Sequence, residues 1–153
     1  MNHQESIKIQ GHIRRMVYDA ITGMLIPGDC KEFDNIVTTA GKNKIVNALN
    51  SSSNTCAISH LHMGSGSTTP AAGDTDVETA VGSRMAIAES SLSGTVFLMS
   101  FNFGTGDNNG TWRNYGLFDA ATGGTMFSHA LDSEDFVKTT SKTAVVDYSF
   151  TLT

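Results

Sequence analysis

The chain has 153 residues, ten basic against fifteen acidic side chains, and a formal charge of −5. That length suits one ordinary domain, and with no clustered basic face it excludes nucleic-acid binding through phosphate neutralisation. Only 16% of residues are charged, and 15 Gly with many Ser, Thr and Asn fill the difference, a composition that favours turns and short strands over long helices.

From the amino terminus, residues 1–6 form a polar arm, expected to be held by a neighbouring subunit. Ile7, Ile9, Gly11 and Ile13 then fall on alternate positions, the period of a strand, which continues through Met16-Val17-Tyr18. Arg14-Arg15, the only adjacent arginines, reads as half-exposed strand surface. A turn at 19–23 returns the chain as a hairpin arm, Met24-Leu25-Ile26, and Pro27-Gly28-Asp29 breaks it. Residues 33–37 read as a further short strand. A helix is predicted over 40–50, capped by Thr38 or Thr39, with Ile45, Val46 and Leu49 as its apolar stripe.

Residues 57–63 read as a strand and 64–74 as a long, small-residue surface loop. A turn of helix is predicted over 74–81, followed by an alternating stretch over 84–89 with Met85 and Ile87 on one face. The strongest strand runs over 95–103, with Phe97, Met99, Phe101 and Phe103 pointing one way. After a loop come a strand at 112–118, a turn at 119–124 and a return arm at 125–131. A polar connection leads to a last strand over 143–152. There Tyr148, Phe150 and Leu152 alternate while Val145 falls out of register, which predicts a bulge near Val146. Eight or nine strands, one short helix and Gly-rich turns make a single all-β domain over 1–153. An antiparallel β-sandwich of jelly-roll kind, its helix covering one open end, fits best.

No residue set completes a known chemistry. Cys56, His60 and His62 put two histidines on one strand face behind a thiol, but no fourth metal ligand stands at a matching spacing. Gly64-Ser65-Gly66 and Gly104-Thr105-Gly106 lack the Lys-Ser or Lys-Thr of a phosphate loop. Gly64-Ser65-Gly66-Ser67 also lacks the closing Gly of a nucleophile elbow. Glu134-Asp135 reads as solvated surface. Asp107-Asn108-Asn109-Gly110 reads as a turn without the distal Glu of a calcium loop. Trp112 and Tyr115 could line a sugar-binding face if Trp112 lies partly exposed beside that turn, although aromatics at strand spacing are far more often core. No cofactor and no metal is expected. No run reaches the ~18 apolar residues of a membrane span. The start lacks a secretion signal, so Cys30 and Cys56 are expected as free thiols.

Two stretches carry a resemblance. Leu61-His62-Met63-Gly64-Ser65-Gly66-Ser67-Thr68-Thr69-Pro70-Ala71-Ala72-Gly73-Asp74-Thr75-Asp76-Val77-Glu78 resembles a recurring pattern of phage virion proteins. Asn114-Tyr115-Gly116-Leu117-Phe118-Asp119-Ala120-Ala121-Thr122-Gly123-Gly124-Thr125-Met126-Phe127 is similar to a second stretch of the same proteins, and Asn35-Ile36-Val37-Thr38-Thr39-Ala40-Gly41-Lys42 is a weaker echo of the segment before their helix. Their order and spacing match over about 17–153. The family is that of tailed-phage minor virion and tail proteins, related to the baseplate-anchoring amino-terminal domain of tail fibres. The acid usual before its Gly-Leu-Phe is replaced here by Asn114-Tyr115, and no fibre shaft follows Thr153.

The resemblance implies a virion part without catalysis, made in the bacterial host cytoplasm. It would be a tail, neck or baseplate component that mounts fibres, a capsid decoration protein or, further off, a receptor- or glycan-binding module. The partners implied are other phage structural proteins and copies of the chain itself.

Overall fold

The computed structural model describes residues 6–50 and 56–153. Among the described residues nine strands and one α-helix follow in chain order: β1 (Ile9–Asp19), β2 (Lys31–Val37), α1 (Thr39–Asn50), β3 (His60–Gly64), β4 (Ala80–Ala86), β5 (Glu89–Ser93), β6 (Val96–Phe103), β7 (Gly110–Phe118), β8 (Met126–Lys138) and β9 (Lys142–Leu152). They form one antiparallel sheet in the order β4-β3-β7-β8-β2-β1-β9-β6-β5, curled into a half-barrel.

The connectivity forces the curl. The two end strands, β4 and β5, are joined only by Ile87 and Ala88, which reach about 10 Å when extended. A flat sheet of nine strands would hold its edges roughly 38 Å apart. The joint itself stitches the two halves together: Ile87 N–H donates to Ser59 O and Ala88 N–H to Ser100 O, both at 2.9 Å. On the opposite side β2 makes the corner. Its residues 31–35 pair with β1, while Ile36 and Val37 pair with β8.

Inside the curl, alternation builds an aromatic core. Met99, Phe101 and Phe103 of β6 face Ala144, Val146, Tyr148 and Phe150 of β9, all buried. Phe103 meets Trp112 at 4.8 Å and Trp112 meets Phe136 at 5.2 Å between ring centroids, spacings at which tilted aromatic pairs add to area burial. A smaller cluster of Val77, Phe118 and Met126 lies apart.

Several boundaries differ from expectation. The hairpin arm over 24–26 shrinks to one bridge, Tyr18 with Leu25, because the Asp19 carboxylate binds the N–H groups of Ile21 and Thr22 and holds a tight turn. No helical turn forms over 74–81. There the chain extends the β3–β4 ladder, Ser65 N–H reaching Thr79 O and Gly66 N–H reaching Glu78 O. The stretch over 84–89 divides where it changes partner, and β5 was not foreseen as a strand. The expected bulge near Val146 is absent. β9 pairs with β1 without a break from Lys142 to Leu152, and Val145 simply faces outward.

β8 outruns its predicted end by seven residues, since Phe136 and Lys138 of the supposed connection turn inward. The α1 cap is Thr38, whose Oγ1 accepts the Gly41 N–H at 2.9 Å and donates to Met126 O at 2.6 Å. Gly41 is required there, because a Cβ would collide with the Phe127 carbonyl. Of the predicted helical stripe only Ile45 packs on the core; Val46 and Leu49 are 62% and 83% exposed. Of the polar arm, only Ser6 lies within the described residues.

Candidate interaction surface

The polar groups that might have served chemistry are mostly spent inside the fold. Arg14 is surface and pairs with Asp147 at 3.0 Å. Arg15 is not: it points between the sheet halves, fully enclosed, which overturns the reading of both arginines as half-exposed. Its Nε donates to Asp29 O at 3.0 Å, its Nη1 to Tyr115 Oη at 2.6 Å and to Asp132 Oδ2, and its guanidinium lies 4.4 Å from the centre of the Phe136 ring. Lys31 Nζ takes the other Asp132 oxygen at 3.0 Å. Burial works against the charge on Arg15, yet Tyr115 and Asp132 outweigh it and hold the guanidinium pKa above its usual value. Burial likewise opposes ionisation of Asp132, but the Glu134 N–H, Arg15 and Lys31 keep its carboxyl below the ordinary range. Burial raises the Tyr115 phenol well above its usual value, so it stays protonated. This is a closed ion cluster.

A second cluster clasps the loop after β3. Asn114 Nδ2 donates to Gly66 O at 2.9 Å and Glu78 O at 3.1 Å, and its Oδ1 accepts the Glu78 N–H at 3.2 Å. Those bonds fix the amide orientation. His129 places Nε2 3.2 Å from the same Oδ1 and Nδ1 2.6 Å from Asp74 Oδ2. The Asp–His pair has the outline of a charge-relay site, but the position a nucleophile would take beyond Nε2 is filled by Asn114.

The remaining candidates are structural too. His60 pairs with Ser59 Oγ at 2.8 Å and His62 with Gly82 O at 3.1 Å. No group of three His, Cys, Asp or Glu able to hold a metal occurs among the described residues. Cys30 and Cys56 are free thiols, and burial raises the Cys56 pKa. In the first glycine loop the Thr68 N–H is taken by Glu78 Oε2 at 2.9 Å. In the second, the Gly104 N–H is taken by Asp107 and its carbonyl by the Lys138 ammonium, each at 2.7 Å. In each loop the amides that would lead a phosphate nest are thus already engaged by carboxylates of the chain itself. Glu134 is 81% exposed beside Lys31, and Asp135 pairs with Arg113 at 2.8 Å. Trp112 is fully buried and donates Nε1–H to Asn108 O at 2.7 Å, and Tyr115 is buried as well. This removes the sugar-platform reading of these two residues.

What stays open is surface. A shallow depression of about 390 Å³ crosses the outer face of β2, β1, β9, β6 and β5, with His12, Arg14, Glu32, Glu89, Leu98 and Ser149 among its lining. Within it Arg14 pairs with Asp147 at 3.0 Å, and His12 lies 3.0 Å from Asp34 and 3.6 Å from Glu32. One rim of this depression is β5, all five of whose residues are exposed. Sequence reasoning missed this strand because Glu89-Ser90-Ser91-Leu92-Ser93 has no apolar alternation; its partner, β6, supplies the order. No helix among the described residues is long and apolar enough to cross a membrane. No protein-family model, no curated protein and no solved structure matches the chain.

Proposed function

We propose that the chain is a structural protein of a tailed-phage virion, a tail, neck or baseplate component that mounts or joins fibres and has no catalysis of its own. One observation carries the reading beside the resemblance. The two stretches that resemble phage virion proteins lie against each other as β3 and β7, Leu61 opposite Leu117 and Met63 opposite Tyr115. Asn114 of one stretch ties down Gly66 and Glu78 of the other. Val77 packs over Gly116, where a Cβ would sit 2.9 Å from its Cγ1. Residues of both resembling stretches, Asn114 at the departure from the pattern included, are thus spent on packing and backbone bonds rather than left open as a reacting centre, which suits a part recognised by shape.

In this reading the two halves of the curled sheet are the layers of a jelly-roll-like sandwich, β2 being the shared corner strand. Partners are other virion proteins and further copies of the chain, assembled in the host cytoplasm. The test is quantitative mass spectrometry of purified particles against the major shell protein. A few copies per hundred shell subunits fits a small ring at the tail or neck. A ratio near that of the shell protein would make the chain a decoration protein, and complete absence from the particle would defeat the structural reading.

A further inference from the structure

The two end strands of the sheet are treated differently. β4 is sealed: its ladder with β3 is broken by a register shift between Val81 and Met85. Gly82 takes a left-handed φ of 66°. Asn108 Nδ2 donates to the carbonyls of Val81 at 3.0 Å and Ser83 at 2.8 Å. Arg84 folds back over the Phe118 ring, 3.4 Å from its centre. Bulges and capped carbonyls are what natural sheets use to stop a further strand from adding.

β5 has none of these devices. Its register with β6 is regular from Glu89↔Ser100 to Ser93↔Val96, with no bulge, proline or lysine. A strand paired on one side presents alternate N–H and C=O groups on the other, and no hydrogen bond from β5 to any element except β6 is present among the described residues. Leu92 stands opposite Phe97 on the inward face, yet is 79% exposed, because the sheet stops there.

We propose that β5 pairs with β5 of a second copy of this chain, antiparallel and two-fold symmetric about Ser91. The sealed β4 edge removes the head-to-tail alternative, in which β5 of one copy would add to β4 of the next and grow an open filament; a closed pair remains. Centring on Ser91 uses all five residues, setting Glu89 opposite Ser93 of the second copy and Leu92 opposite Ser90. The strand carries one charge, Glu89, and in this register the two Glu89 side chains are about 13 Å apart along the strand direction, beyond the screening length of about 8 Å at physiological salt. Centring on Ser90 would bring them to about 7 Å. Centring on Leu92 would leave Glu89 and Ser90 unpaired. The contact is short, well below the roughly 1,200 Å² of a standard interface, so the pair is a weak one that gains strength where copies are concentrated in an assembly. The inference rests on the two strand edges alone and stands or falls apart from the virion assignment.

The experiment is cysteine cross-linking of the full chain under mild oxidation, with Ser91→Cys, Ser90→Cys and Ser93→Cys each measured against the native chain, whose Cys30 and Cys56 set the background. A covalent dimer that forms fast for Ser91→Cys and at background rate for the other two is expected. Equal rates at all three positions, or none above background, would overturn the proposal. Sedimentation equilibrium of the native chain gives the second readout. A reversible dimer is expected, weakened about tenfold by Ser91→Lys, since an edge lysine is a natural block to strand addition. A chain that stays monomeric at every concentration would equally overturn it, whatever mass spectrometry of the virion shows.

Discussion

The Arg15–Asp132 cluster and the Asn114–His129–Asp74 clasp both join segments far apart in the chain, but they do so in opposite ways. The first puts full charges in the core, with neither partner exposed. Such a pair contributes little over an apolar substitute and punishes the loss of either member. The second is built around a neutral amide, with its one carboxylate partly in water, and it holds a loop rather than a core. The first cluster guards the global fold, and the second governs whether the segment 65–79 stays docked.

The largest break in this comparison is Arg15→Met. It leaves Asp132 buried with only Lys31 and the Glu134 N–H of its present partners and is expected to cost about 3–5 kcal/mol, read from the midpoint of denaturant unfolding. Adding Asp132→Leu should restore most of that loss. If the double variant is as unstable as the single one, the cluster is doing more than neutralising itself.

Asn114→Ala should come next, at about 2–3 kcal/mol, because it strands the Gly66 carbonyl and the Glu78 N–H together. Amide exchange should quicken across 65–79 more than in β6 or β9. Uniform quickening would make the clasp part of the global unit instead.

Acid should separate the clusters. Burial alone would raise the Asp74 pKa, but the Ala71 N–H and His129 outweigh it and hold the carboxyl below its ordinary range. A carboxyl depressed in the fold stabilises it above the unfolded value of about 3.9, and that contribution is lost as pH falls through the folded value. The loop amides should therefore lose protection below about pH 4; Asp132 is depressed as well and weakens the core over the same range, but the amides near Arg15 should follow only through global unfolding, so simultaneous loss would merge the two regions. Smallest is Glu134→Gln at the exposed rim of the ion cluster, expected to stay within about 0.5 kcal/mol.

These same residues mark how far the sequence could be read. β6, β7 and β9 were legible because Phe101, Trp112, Tyr148 and their neighbours alternate, and alternation is a local signal. The second half of β8 was not. Asp132 and Lys138 look like a polar connection until Arg15, 117 positions away, and the carbonyl of Gly104 are brought to them. The alternative of a partly exposed Trp112 fails for a related reason: the flexible-looking turn beside it folds inward once Asn108 finds Val81 and Ser83. Long-range satisfaction of polar groups leaves no periodic trace.

The central pairing of the sheet has a consequence for synthesis. β1 is flanked by β9, and Arg14 meets Asp147 only after another 133 residues have been made. At 5–20 residues per second the ribosome needs roughly 7–27 s to supply them. During that time β1 and then β6 emerge with a vacant side, and the sheet can close between them only as β9 arrives. Contacts of such separation slow folding and expose intermediates to aggregation. The nascent chain is therefore most vulnerable in the seconds before β9 emerges, and a ribosome stalled there would hold a sheet interrupted between β1 and β6.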